Sequence, residues 1–157
     1  MTGSSSPVLD GIHHIKIPVT DLNRSCNFYE RSIGAVRLGS MDHLDPAGEL
    51  FAVIMQVPGT DVLLELRLHP VRALLQRRFD PITIAVPSRG ELERWVEHLH
   101  DMGVETSPVL SGMQAWLLAF RDPDGTIMRL YSREMHGPEV AADFGSPWLS
   151  AQVLLSE

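Results

Sequence analysis

The stretch FDPITIAVPSRGELERWVEHLHDMG, residues 79 to 103, repeats the pattern of an earlier one, DGIHHIKIPVTDLNRSCNFYERSIG, residues 10 to 34. In the later stretch Ile82, Ile84 and Val86 alternate with Thr83 and Ala85, the period-two mark of a strand with one buried face. Ser88 followed three residues on by Glu91 makes a capping box; Leu92, Trp95, Val96 and Leu99 recur at helical spacing, and Gly103 ends the run. In the earlier stretch Ile15, Ile17 and Val19 alternate with His14, Lys16 and Pro18. Thr20 or Asp21 then caps a helix with Leu22, Cys26, Tyr29 and Ile33 on one face, ended by Gly34. Few residues are identical, yet the order of elements is.

The repeat runs on past the helices. LFAVIMQVPGTDVLLELRLH reads as two strands around Pro58-Gly59-Thr60, and QAWLLAFRDPDGTIMRLYS as two strands around Asp122-Pro123-Asp124-Gly125, where Asp-Gly is a strong hairpin signal. With a further strand after each helix, near residues 35 to 41 and 104 to 110, the chain is an α+β protein of two βαβββ modules. Module one spans residues 11–69, a short helical linker 70–78, and module two 79–133, together one domain. One helix covers only one face of a four-stranded sheet, so two such units must curl together, within a chain or between chains, as a curved mixed sheet around a cavity.

Composition supports a self-sufficient core: 157 residues with 44% hydrophobic content. The formal net charge of −7 and the lack of a basic run argue against a nucleic-acid or anionic-membrane partner and for a small molecule or a protein. Cys26 is the only cysteine, which excludes an internal disulfide and a thiolate metal cage. No signal peptide or apolar span of about 20 residues is evident, so the expected compartment is cytoplasmic. Residues 1–10 read as a flexible leader; the tail, 134–157, carries Phe144, Trp148 and Leu149 and is expected to dock on its own domain or on a partner subunit.

The histidine before an alternating strand, the Asp21-Leu22 pair, Ser25, Phe28-Tyr29, Gly34 and the later FRDPDG together resemble the vicinal oxygen chelate superfamily, which includes glyoxalase I, bleomycin-resistance proteins, extradiol dioxygenases and fosfomycin-resistance enzymes. The likeness covers residues 11 to 133. It implies a fold, but not one reaction, since the superfamily holds lyases, isomerases, dioxygenases and proteins that only sequester drugs.

The resemblance also implies a four-position metal template, with one inward ligand from the first and last strand of each module. The first position, seven residues before Asp21, is His14; neighbours on a strand face opposite ways, so His13 points elsewhere. The second falls on Glu65. An imidazole and a carboxylate suit a divalent ion such as Zn, Ni, Mn or Fe. In module two the matching positions are Pro81, which has no ligand atom, and Arg129, whose guanidinium stays protonated. Two readings stay open: His14 and Glu65 as metal ligands, or Glu65 ion-paired to Arg129 with His14 hydrogen-bonded beside it. Asp80 alternates to the wrong face to act as a substitute ligand unless a bulge re-aims it.

By alternation Lys16, Arg67 and Tyr131 join Arg129 on the cavity face, a surplus of cation that favours an anionic ligand; Trp116 and Leu118 are candidates for an apolar wall, with a plain core role as the favoured reading of either. His43, His98, His100 and His136 read as surface histidines, and Cys26 as a small hydrophobe. The expected function is small-molecule binding, with catalysis by Glu65 and His14 as one form of it. That catalysis would be metal-assisted lyase, isomerase or dioxygenase chemistry, or metal-free acid–base work with Arg129 as clamp. Metal-free sequestration of a drug or natural product is the alternative. A homodimer is the expected assembly.

Overall fold

The computed structural model describes residues 6–149; the first five residues of the leader and the tail beyond Leu149 lie outside it. The elements are β1 (His14–Val19), α1 (Leu22–Ile33), β2 (Val36–Arg37), β3 (His43–Leu44), β4 (Leu50–Gln56), β5 (Leu63–Leu68), α2 (Pro70–Leu75), β6 (Ile82–Val86), α3 (Arg89–Asp101), β7 (Leu110–Ser111), β8 (Ala115–Arg121) and β9 (Ile127–Met135). They form two sheets of mixed orientation, ordered β1-β5-β4-β2, with β3 added on β4, and β6-β9-β8-β7. In each, the first strand runs parallel to the last and the other pairings are antiparallel. The chain is therefore α+β.

Local chemistry sets the helix ends. The Asp21 carboxylate accepts from the Arg24 N–H and Ser88 Oγ from the Glu91 N–H, each satisfying a free donor of the first turn. Gly34 takes the left-handed conformation, φ 69°, that lets its N–H return to the Tyr29 carbonyl. The helix-face residues of both sheets then meet in one core: Ile17, Val53, Met55 and Leu66 from the first, Leu118, Phe120, Met128 and Leu130 from the second, with Tyr29, Leu92 and Leu99 from the helices. Because the helix faces meet, the other faces of the two sheets point away from each other.

The two units are also tied by polar bonds. In the β8–β9 turn, Asp124 accepts from the Thr20 N–H at 2.9 Å, the Thr20 hydroxyl at 2.5 Å and Arg24 Nη2 at 2.7 Å. Asp122, in the same turn, accepts from the buried Tyr29 hydroxyl at 2.9 Å. The His98 ring meets the Ser32 carbonyl at 3.0 Å. Finally, the tail folds back on its own chain: Trp148 and Leu149 pack on Leu110, Leu117, Ala119 and Ile127, with Arg121 4.1 Å over the Trp148 ring. They cover part of the outer face of the second sheet, whereas Phe144 stays largely exposed.

Candidate functional site

On β5 the alternation places Leu64 and Leu66 in the core and Glu65 and Arg67 on the outer face, beside Lys16 and Pro18 of β1 and Ile54 and Ala52 of β4. Glu65 is nonetheless fully buried, beneath its own neighbours. Arg67 spends both Nε and Nη2 on one carboxylate oxygen, Oε1, at 2.6 Å each. The other oxygen, Oε2, lies 3.1 Å from His14 Nε2 but is not aligned with it as a hydrogen bond, so it has no formed partner. His14 Nδ1 is 3.0 Å from Nδ1 of the exposed His13, so one of these two nitrogens carries the shared proton. Lys16 is exposed.

Arg67 stacks 5.4 Å over the Phe51 ring, which in turn stacks on His43 at 5.7 Å. His43 corrects a sequence expectation: it is not a plain surface histidine, since β3 pairs it with Ala52 on the Glu65 side and its Nδ1 is buried without a partner. The two-residue strand β3 carries no periodicity from which this could be read.

The second sheet repeats the register with different chemistry. Thr83 pairs with Arg129 as Lys16 pairs with Glu65, so Arg129 occupies the Glu65 position and Pro81, two residues before Thr83, the His14 position. The expected Glu65–Arg129 ion pair is not formed. Glu65 is held by Arg67, and Arg129 Nη2 contacts Asp80 at 2.8 Å, both side chains being largely buried. The physical reason is the shared helical core, which turns the two outer faces apart, so His14 and Glu65 do not converge with Pro81 and Arg129 inside one chain. Asp80 also corrects the expectation from alternation: β6 begins only at Ile82, so Asp80 is free of the strand's pleat and turns onto Arg129. Trp116 and Leu118 face α3 and the core, not a ligand wall; Arg89 lies 4.1 Å over the Trp116 ring and His136 packs against its edge. Tyr131 is on the outer face, where its hydroxyl accepts from the Gln114 and Ala115 N–H groups at 3.3 Å.

Two spaces could admit a ligand. A cavity of ≈ 560 Å³ lies between the free edges of β1 and β6, walled by Ile15, Leu63, Ile82, Ile84 and Met128, with Thr60 and Arg133 as polar groups. It adjoins the His14–Glu65 pair through Leu63 without containing it. The second, of ≈ 130 Å³, lies between the outer face of the second sheet and the tail.

The sequence reading missed the second role of the DPDG turn, whose carboxylates do not face solvent. Burial pushes the Asp122 carboxyl above its ordinary range, against the lowering effect of its hydrogen bonds from Tyr29 and from the Thr126 and Asp124 N–H groups. Burial and the neighbouring Asp122 charge raise the Tyr29 hydroxyl well above its own range. Both are locked in the core and act on structure. Cys26 is also buried, its thiol pushed up to about 11 mainly by desolvation, so it stays protonated.

Among the described residues no group of three or more His, Cys, Asp or Glu is placed to hold a metal, and no helix is long and apolar enough to cross a membrane. What remains is a donor pair: two cis ligands at about 2.1 Å from an ion sit about 3 Å apart, close to the spacing of Glu65 Oε2 and His14 Nε2. The Arg67 cation on the same carboxylate opposes an ion there, and the register offers no further donor.

The family model of the Glyoxalase/Bleomycin resistance protein/Dioxygenase superfamily matches residues 11–130. No curated protein matches the chain. Among solved structures, TnmS3, an antibiotic binding protein from Streptomyces sp. CB03234, superposes with a TM-score of 0.64 at 16% identity, over 82% of this chain and 100% of its own. The fosfomycin resistance protein FosX of Listeria monocytogenes gives 0.63 at 19% identity, over 81% and 96%; a glutamate-to-glutamine mutant of it has also been solved with Mn(II) and 1S,2S-dihydroxypropylphosphonic acid. An integron cassette protein from the mobile metagenome of the Halifax Harbour sewage outfall gives 0.62 at 22% identity, over 79% and 99%. At these identities the structural likeness shows the fold.

Proposed function

Since the chain belongs to the Glyoxalase/Bleomycin resistance protein/Dioxygenase superfamily, we propose that it is a metal-independent small-molecule-binding protein of the sequestering kind, its ligand taken into the 560 Å³ cavity between the free edges of β1 and β6. That volume lies within the range of drug-sized sites, roughly 300–1,000 Å³, and its mostly apolar wall with a few polar groups is typical of them. The observation that carries the metal-independent reading is the donor set. Arg129 and Pro81 hold two of the four template positions, and Arg67 neutralises the Glu65 carboxylate at a third. We further propose a homodimer, because the outer faces point apart and only a second copy could set Glu65 opposite Arg129.

A second reading has one observation in its favour. The unpartnered Glu65 Oε2 beside His14 Nε2 would suit an ion completed by ligand or water. In that case Glu65 and His14 would hold the ion, which supplies polarisation of a substrate oxygen when bound.

The experiment is metal content of protein purified without chelator, followed by titration with Mn(II), Ni(II) and Zn(II) while the unfolding temperature is recorded, for wild type and Glu65→Gln. We expect no stoichiometric metal and no ion-dependent stabilisation that Glu65→Gln removes. Near-full occupancy of the wild type that is lost in Glu65→Gln would overturn the metal-independent reading and put the enzyme first.

A further inference from the structure

We infer that the ligand of the larger cavity is an organic anion with an apolar body of about three rings or equal bulk, and that Arg133 is the residue that selects it. The inference rests on the reading of that cavity as the ligand site and adds the chemistry of what enters. An apolar space of about 150 Å³ holds one benzene ring, which sets the bulk that ≈ 560 Å³ can take.

Among the described residues lining the cavity, Arg133 is the only charged one. The chain carries 20 Asp and Glu against 13 Lys and Arg, so a cavity with no carboxylate and one cation runs against the balance of the whole molecule. Arg133 is exposed, so it stands at the opening and not within the apolar wall. It has no ion pair and no hydrogen bond among the described residues. The adjacent acid, Glu134, is engaged elsewhere: its carboxylate accepts from the Arg89 N–H at 2.8 Å, at the start of α3. Thr60 has already given its hydroxyl to the Val62 carbonyl at 2.9 Å. The cations from which the sequence reading expected an anionic ligand do not line this space, since Arg67 is held by Glu65 and Arg129 by Asp80. Arg133, at the far end of β9, was missed.

A guanidinium at the rim of an apolar cavity suits a ligand whose body leaves water while its charged end stays at the mouth. The planar fork accepts two oxygens of a carboxylate, sulfonate or phosphate side by side. A cationic ligand would meet repulsion at the opening, and a neutral one would gain from the wall alone.

The test uses the full chain with two fluorescent probes, 1-anilinonaphthalene-8-sulfonate and N-phenyl-1-naphthylamine, which share the same rings and differ in the sulfonate. Ile15→Trp and Val62→Trp, which fill the cavity from its wall, locate both probes. Arg133→Gln and Arg133→Glu, at an exposed position, read the charge. We expect each probe to bind once per chain and to weaken at least tenfold in the tryptophan variants. Arg133→Gln should weaken the sulfonate about three- to fivefold and Arg133→Glu at least tenfold, while the neutral probe changes less than twofold in either. Sulfonate binding unchanged in both Arg133 variants, or neutral-probe binding that falls in step with it, would overturn the inference and leave the cavity standing as the ligand site. If neither probe binds saturably, or if both bind the tryptophan variants as they do the wild type, the cavity reading fails and the inference fails with it.

Discussion

Glu65→Gln tests how the buried carboxylate is held. Arg67 donates one charge-assisted hydrogen bond from Nε to Oε1 at 2.6 Å, with Nη2 in ion-pair contact at the same distance, and such a bond contributes about 1.5–3 kcal/mol. A glutamine carbonyl still accepts from the cationic guanidinium but no longer carries the opposite charge, a loss of about 1.5–3 kcal/mol at most. The Arg67 side chain is 36% exposed, so water already screens it, and the discounted loss is about 1–2 kcal/mol. For a chain of this size that is about 2–8 °C in unfolding temperature. Had the partner been a fully enclosed arginine, the cost would be about 3–5 kcal/mol. The assay is urea unfolding at neutral pH, as a double-mutant cycle with Arg67→Met. In the methionine background Glu65 is a buried charge without its cation, so Glu65→Gln should there be neutral or stabilising. If Glu65→Gln costs the same in both backgrounds, or more than about 4 kcal/mol in the wild type, the pairing described for Glu65 is wrong.

Two other predictions follow from the core and the outer faces. The Asp122 carboxyl is raised in the folded state above its unfolded value, so its proton-linked stability is fully present below the unfolded pKa and is lost as pH rises through the folded one. Asp122→Asn should therefore cost most near pH 3 and progressively less as pH rises, in urea titrations run across that window; a cost that grows with pH would contradict the burial argument. Sedimentation at micromolar concentration should give a dimer, and a strict monomer would remove the cross-chain arrangement of Glu65 and Arg129.

Much of the fold was legible because it rests on period. Ile17 and Val19, then Ile82, Ile84 and Val86, point inward where alternation puts them, and Asp21 and Ser88 cap where their side chains can reach a free N–H. The position of His14 beside Glu65 was legible through the resemblance, whose template names both positions, and the pleat then put His14 and not His13 on that face. The partners were not. Which cation answers Glu65 depends on how two sheets pack through their helices, a long-range outcome that no local pattern encodes. Asp80 lay just outside the strand whose pleat was used to aim it. Trp116 follows the alternation of Leu118 and Phe120 toward α3, but an aromatic ring in a sequence advertises a ligand wall and a core equally well. The DPDG turn announced its hairpin and concealed its bonds, because Tyr29 and Thr20 lie about a hundred residues away.

Those bonds mark where the two halves have stopped being copies. The tie runs one way: the turn of module two closes on the helix start of module one, through Thr20 and Arg24. The residues matching these at the start of α3 are Pro87 and Glu91, which cannot receive a carboxylate, and the positions of module one that match Asp122 and Asp124 are Pro58 and Thr60, which have none to send. A chimera made of two first modules or two second modules would keep every strand and both helices and would lack one end of the clasp. The repeat thus has a polarity. Each half has become the other's fixed environment, and further change in Asp122 or Asp124 is answerable to residues in the opposite half.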